Sequence, residues 1–125
     1  MPIAAPRLVL LDSVTQVGPA HAGRLVVTGS HGGASVVRYA RAVRAWLYVF
    51  NDAGVGKDGA GIAALDMLQA DGIAAAAVAH GSARIGEALD SWEHGVVSHL
   101  NASARALGLQ AGGRLAGQLT AEGRA

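Results

Sequence analysis

The chain has no cysteine among its 125 residues, which excludes a disulfide scaffold, thiol catalysis and a thiolate zinc site. Aromatic residues make up only 4%, so the apolar content is carried mainly by Ala, Val and Leu. Neither sign of charge is in excess. Ten Lys and Arg stand against nine acids, for a net charge of +1, and this leaves no electrostatic case for nucleic acid or a membrane surface as partner. No stretch of uncharged apolar residues approaches the roughly 18 that a membrane-spanning helix needs. The opening "MPIAAPRLVLLD" has no basic segment ahead of a long apolar one, so no signal peptide is expected. These absences together predict a soluble, cytoplasmic protein.

What is present points to a folded domain. Apolar residues form 51% of the chain, which opposes disorder, and the length suffices to bury a core as one domain over residues 1–125. The 18 glycines follow no collagen-like period and gather at the ends of apolar runs, as turns would.

The runs themselves alternate in period. "LVLLDSV" (8–14) reads as a first strand and "RLVVTG" (24–29) as a second, with a Gly18-Pro19 break between them. In "ASVVRYARAVR" (34–44), Val36, Val37, Ala40 and Val43 fall on one helical side, and Arg38, Arg41 and Arg44 on the other. That stripe reads as a solvated helix face, with a site for an acidic partner as the alternative. "AWLYVF" (45–50) is continuously apolar, as a strand covered on both faces must be. "IAALDMLQADG" (62–72) is helical again and "IAAAAVA" (73–79) is a further strand. A last helix is expected to start at a capping box of Asp90 and Glu93, with Val96, Val97, Leu100 and Leu107 as its apolar side. Residues 111–125 read as a loose tail with room for one short strand. The resulting order predicts a three-layer α/β/α domain, Rossmann-like or flavodoxin-like, with a mainly parallel sheet of about four strands.

In open sheets of that kind, ligands bind beyond the carboxyl ends of the parallel strands. The strand ends carry "TGSHGG" (28–33), "NDAGVGKDGAG" (51–61) and "HGSARIG" (80–86), three Gly-rich loops that each lead toward a helix. Backbone N–H groups there would suit a small anion. The expected ligand contacts are Gly29, Gly32, Gly33, Asn51, Lys57, Asp58, Ser82 and Arg84, with Lys57 and Arg84 fixing negative charge.

Two catalytic readings share this edge. In the hydrolytic one, Ser30 in "TGSHG" resembles a G-x-S-x-G nucleophile elbow with Thr28 in place of the first Gly, and Asp52 and His80 follow in the chain order of α/β-hydrolases. In the other, His31 and His80 divide general acid and base roles, with Asp52 or Asp58 orienting them or acting themselves, as in a lyase or isomerase. Metal binding by His31, Asp52 and His80 lacks any short ligand spacing, so no metal is expected. "GVGKD" lacks the first Gly and the Ser or Thr of a P-loop, and "GSHGGA" lacks G-x-G-x-x-G spacing, so no nucleotide cofactor is expected either.

"GSARIG" (81–86) followed by "HLN" (99–101) is similar to the loop region in the small swivelling domain of aconitase-like dehydratases. The likeness covers a short stretch, and the serine-arginine loop of that family has no counterpart in "GSHGGAS" (29–35), so no residue roles follow from it. The expected function is acid-base chemistry on a small anionic substrate. The alternative is a non-catalytic module binding an anionic metabolite, or a small subunit of a larger enzyme. Homo-oligomerisation is also expected, since so apolar a small domain need not cover all its own surface.

Overall fold

The computed structural model describes residues 2–121. Its strands are β1 (Ile3–Ala5), β2 (Leu8–Leu11), β3 (Leu25–His31), β4 (Leu47–Asn51), β5 (Ala75–Val78), β6 (Val97–Leu100) and β7 (Leu119–Ala121). The helices are α1 (Val37–Ala42), α2 (Ala63–Ala70), α3 (Ala88–His94), α4 (Ala102–Ala106) and α5 (Leu115–Gln118), with 3-10 turns at Val14–Gln16, Pro19–His21, Ala34–Val36 and Lys57–Ile62. No helix among the described residues is long and apolar enough to cross a membrane.

The protein is an α/β structure on a five-stranded mixed sheet of order β2-β3-β4-β5-β6. β2 to β5 are parallel and β6 runs antiparallel to β5. The strand order simply follows the chain, without the reversal that opens a crevice in a doubly wound sheet. Consecutive crossovers stepping one way therefore land on one face. Val14, α1 and α2 pack there on Val26, Tyr48, Phe50, Ala75 and Ala77. The alternate residues Leu25, Val27, Leu47, Val49, Ala76 and Val78 form the other face. Ala104, Leu109, Leu115 and Leu119 cover that side, and β7 pairs with β1 in a separate parallel ribbon.

Two arginines of the expected stripe, Arg41 on α1 and Arg44 just beyond it, have an intramolecular use. Arg41 pairs with Asp71, and the Arg44 guanidinium donates to the carbonyls of Asp71 and Gly72, each at 2.9 Å. Cations thus satisfy the carbonyl end of α2, where the helix dipole favours them.

The chain departs from the sequence expectation in several places. The helix expected from Asp90 onward ends instead at Gly95, and Val97–Leu100 are a strand. A Cβ at Gly95 would sit 2.3 Å from the Ser91 carbonyl oxygen, so only glycine fits where the chain leaves the helix for the strand. The Val96-Val97 pair then suits an edge that β5 would otherwise leave open. The expected capping box is absent, because α3 starts earlier. Asp12 Oδ1 accepts from the Ala88 amide at 3.0 Å, and Asp90 instead accepts from the Arg84 amide at 2.7 Å. Residues 111–121 are no loose tail, since Leu115 and Leu119 are buried; residues 122–125 lie outside the described residues. Finally, β2 stops at Leu11, where Ser13 caps a 3-10 turn, while β3 extends through Ser30 and His31.

Candidate functional site at the C-terminal edge of the sheet

Segment 84–88 folds back over the ends of β2 and β3. The Gly86 amide donates to the Gly29 carbonyl at 2.7 Å. Gly29 is required by this contact. A Cβ there would lie 2.5 Å from the Glu87 nitrogen and from the Gly86 carbonyl carbon, and 2.7 Å from the Asp12 carbonyl oxygen. Gly29→Ala is therefore expected to cost about 1–3 kcal/mol by overpacking against backbone. Chemical denaturation would measure the loss, and faster hydrogen exchange at the Gly86 amide would locate it.

β3 is also irregular at this point. Val27 pairs with Val49, but the next partner of β4 is His31 with Asn51, so Thr28–Ser30 bulge out. Within the bulge the Ser30 hydroxyl accepts from the Val14 amide at 2.9 Å. His31 is exposed, and its Nδ1 accepts from the Gly33 amide at 2.9 Å. Gly32 donates to the Asn51 carbonyl at 3.0 Å. Asn51 is buried, with its amide nitrogen donating to the Ala83 carbonyl at 3.0 Å and its oxygen accepting from the Ala53 amide at 2.8 Å. Ser82 donates to the Ala79 carbonyl and accepts from the Val96 amide. Most polar groups singled out on these loops thus hold the loops to one another.

Asp52 is the centre of that arrangement. It is 5% exposed, and its Oδ1 accepts from the Gly54 and His80 amides at 2.9 Å each. Its Oδ2 accepts from the Ser98 hydroxyl at 2.8 Å. Burial by itself would raise this carboxyl. The Gly54 amide, the Ser98 hydroxyl, the His80 amide and the nearby His99 ring outweigh burial and hold it below the ordinary carboxylate value. Beyond Asp52 the backbone is strained, since Ala53, Val55 and Asp58 have φ of 52°, 66° and 56°. Gly61 closes this loop. A Cβ on it would meet the Asp52 carbonyl oxygen at 2.2 Å.

No hydrogen bond joins the side chains of Ser30, His31, Asp52 and His80 to one another. Asp52 meets His80 through the latter's backbone amide, not its imidazole. Two solvent-open recesses flank this edge. One, of about 750 Å3, is lined by His80, Arg84, Ile85, Glu87 and Asp90 among others. There Arg84 makes only a 4.0 Å contact with Glu87. The Asp90 carboxyl is held low by the Arg84 amide first and by His94 second. The other recess, of about 500 Å3, is lined by Asp58, Ile62, Leu65, Asp66, His99 and Arg105 among others. Lys57 is exposed on the loop that leads to it.

Ser98 and His99 are the site residues that the helical reading of 96–107 hid. β6 carries a bulge, because His99 pairs with Ala77 while Val97, not Ser98, pairs with Val78. Regular pleating would send neighbours 98 and 99 to opposite faces. The extra residue instead lets His99 Nδ1 reach Ser98 Oγ at 3.0 Å, while Val97 and Leu100 both face the other side of the sheet. The signal was available in "GVVSHLN": a strand-length run with two β-branched residues, bounded by Gly95 and the helix-capping Asn101.

Among the described residues, no group of three or more His, Asp or Glu side chains is arranged to hold a metal ion. No protein-family model, curated protein or solved structure matches the chain.

Proposed function

We propose that this protein is a small-molecule enzyme of acid-base type, a hydrolase or a lyase or isomerase, acting on a small anionic compound at the C-terminal edge of the parallel strands. One observation carries the reading. Asp52 is a buried carboxylate held in its ionised form, bonded to the amide of His80 from one recess and 3.9 Å from the ring of His99 in the other. A carboxylate shifted by a specific set of donors beside a recess is the kind of group that functional sites collect. Arg84 in one recess and Arg105 in the other supply positive charge for the substrate. The packing of both sheet faces supports a three-layer arrangement, although the strand order departs from the Rossmann-like and flavodoxin-like patterns. Exposed Ile85 and Leu89 beside the larger recess support self-association as part of the same proposal.

A second reading, a module that binds an anion without transforming it, is favoured by Ser30, His31, Asn51 and Ser82. Each of these side chains is already bonded to backbone. A thermal-shift screen of small carboxylates and sugar phosphates, followed by NMR of each hit over prolonged incubation, separates the two. Conversion of a stabilising compound is the expected result. Stabilisation without conversion supports the binding module, and no stabilisation by any small anion overturns both.

A further inference from the structure

We infer that His99 is the proton-transfer residue of this protein, positioned by Asp52 and Ser98 at a cleft that takes a small monoanion with an apolar body. The inference rests on the acid-base reading above and assigns its reacting centre.

Hydrogen-bond direction makes the first part of the case. An ionised carboxylate only accepts, so the single hydroxyl proton of Ser98 points to Asp52 Oδ2 at 2.8 Å. The Ala77 carbonyl, 3.3 Å from the same hydroxyl, is also an acceptor and cannot reverse that direction. Ser98 Oγ then has lone pairs to offer, and His99 Nδ1 at 3.0 Å must be the donor. In the neutral ring the proton is thereby held on Nδ1, which leaves the Nε2 lone pair free. No hydrogen bond engages Nε2 among the described residues. The side chain is 37% exposed and lines the 500 Å3 cleft.

Charge makes the second part. When Nε2 takes a proton from the ligand, the bonding electron pair stays on the ligand and the imidazole becomes a cation. His99 Nδ1 lies 3.9 Å from Asp52 Oδ2, so a carboxylate faces the ring that takes the new charge. The proton then returns from Nε2 to the ligand or its product, and no further reactant is needed. Ser98 stands between acid and imidazole, and it is a positioning residue rather than a nucleophile.

The cleft lining narrows the ligand. Arg105 offers a cation for one carboxylate, and Ile62 and Leu65 offer apolar wall. Asp58 and Asp66 share that lining, so a dianion such as a phosphate monoester meets two like charges. A monoanion with an apolar body pairs with Arg105 and packs on Ile62 and Leu65, and it meets less repulsion from Asp58 and Asp66 than a dianion does.

Long-range 1H–15N correlation spectra of the imidazole test the assembly directly. The unliganded protein is expected to show the Nδ1–H tautomer of His99, Ser98→Ala to mix the tautomers, and Ser98→Thr to restore the bias. Isovalerate is expected to move the His99 ring signals saturably, with affinity at least about tenfold weaker in Arg105→Ala, while inorganic phosphate leaves them in place. Amide dispersion establishes that each variant is folded. An Nε2–H tautomer, an unchanged tautomer in folded Ser98→Ala, or phosphate moving the ring more than isovalerate overturns the inference. A small anion that stabilises the protein yet leaves the His99 ring untouched also overturns it, while sparing the broader acid-base reading.

Discussion

Asn101→Ala is expected to be among the most damaging single substitutions in this chain, costing about 3–5 kcal/mol of stability. The side chain is 4% exposed and uses its full hydrogen-bonding capacity. Its oxygen accepts from the amides of Ala75 at 3.1 Å and Ala104 at 3.0 Å. Its nitrogen donates to the carbonyls of Leu65 at 3.1 Å and Ile73 at 2.9 Å. One residue thus ties the end of β6 to the start of β5, to α2 and to the first turn of α4. Alanine would leave four buried backbone groups without these partners. Thermal unfolding should show a fall in Tm on the order of 10–20 °C. Asn101→Asp keeps the shape but sets an oxygen against two carbonyls, so it should be no better at neutral pH. A loss below about 1 kcal/mol for either variant would remove this role from Asn101.

Asp52→Ala should cost about 3 kcal/mol or more, because the amides of Gly54 and His80 and the hydroxyl of Ser98 lose a charged acceptor together. The loop it anchors holds Ala53, Val55 and Asp58 at positive φ, so faster hydrogen exchange should concentrate between residues 53 and 61. Asp52→Asn isolates the charge. The folded-state pKa lies below the ordinary carboxylate value, so the native state favours the ionised form more than the unfolded chain does. That contribution is fully present above the ordinary value of about 3.9 and is lost as pH falls through the depressed one. The stability gap between wild type and Asp52→Asn should therefore be constant from about pH 7 to 5 and shrink steadily below about pH 4. A gap that widens on acidification would show that Asp52 is protonated in the native state.

Much of the scaffold was legible residue by residue. The switch from continuous apolar runs to helical spacing placed β3, α1, β4, α2 and β5 in order, and Val36, Val37 and Ala40 are buried as their spacing required. The place of Asp52 directly after β4 marks it as a candidate site residue. The stretch from Asp90 to Leu107 was misread because Val96, Val97 and Leu100 fit a helical side as well as they fit a short strand. Four-residue runs cannot separate the two periods. His99 was lost with that choice, since a helix sends it away from its neighbours. In residues 115–121 the short strand allowed there is present as β7, but the order of the segment was not legible, because a four-residue helix and a three-residue strand carry too little pattern and burial of Leu115 and Leu119 holds them.

Local chemistry alone settled which residues are apolar, where the chain must turn, and which face of each longer element is buried. These follow from side-chain period and backbone freedom within a few neighbours. Only the folded chain decided that the strands lie in sequence order, that β6 closes the sheet antiparallel, and that bulges stand at Thr28–Ser30 and Ser98. Register is set by hydrogen bonds between segments far apart in the chain, and one extra residue redirects the side chains beside it. That non-local choice carries Ser98 and His99 to Asp52, 46 and 47 positions away, and joins the three into one hydrogen-bonded assembly.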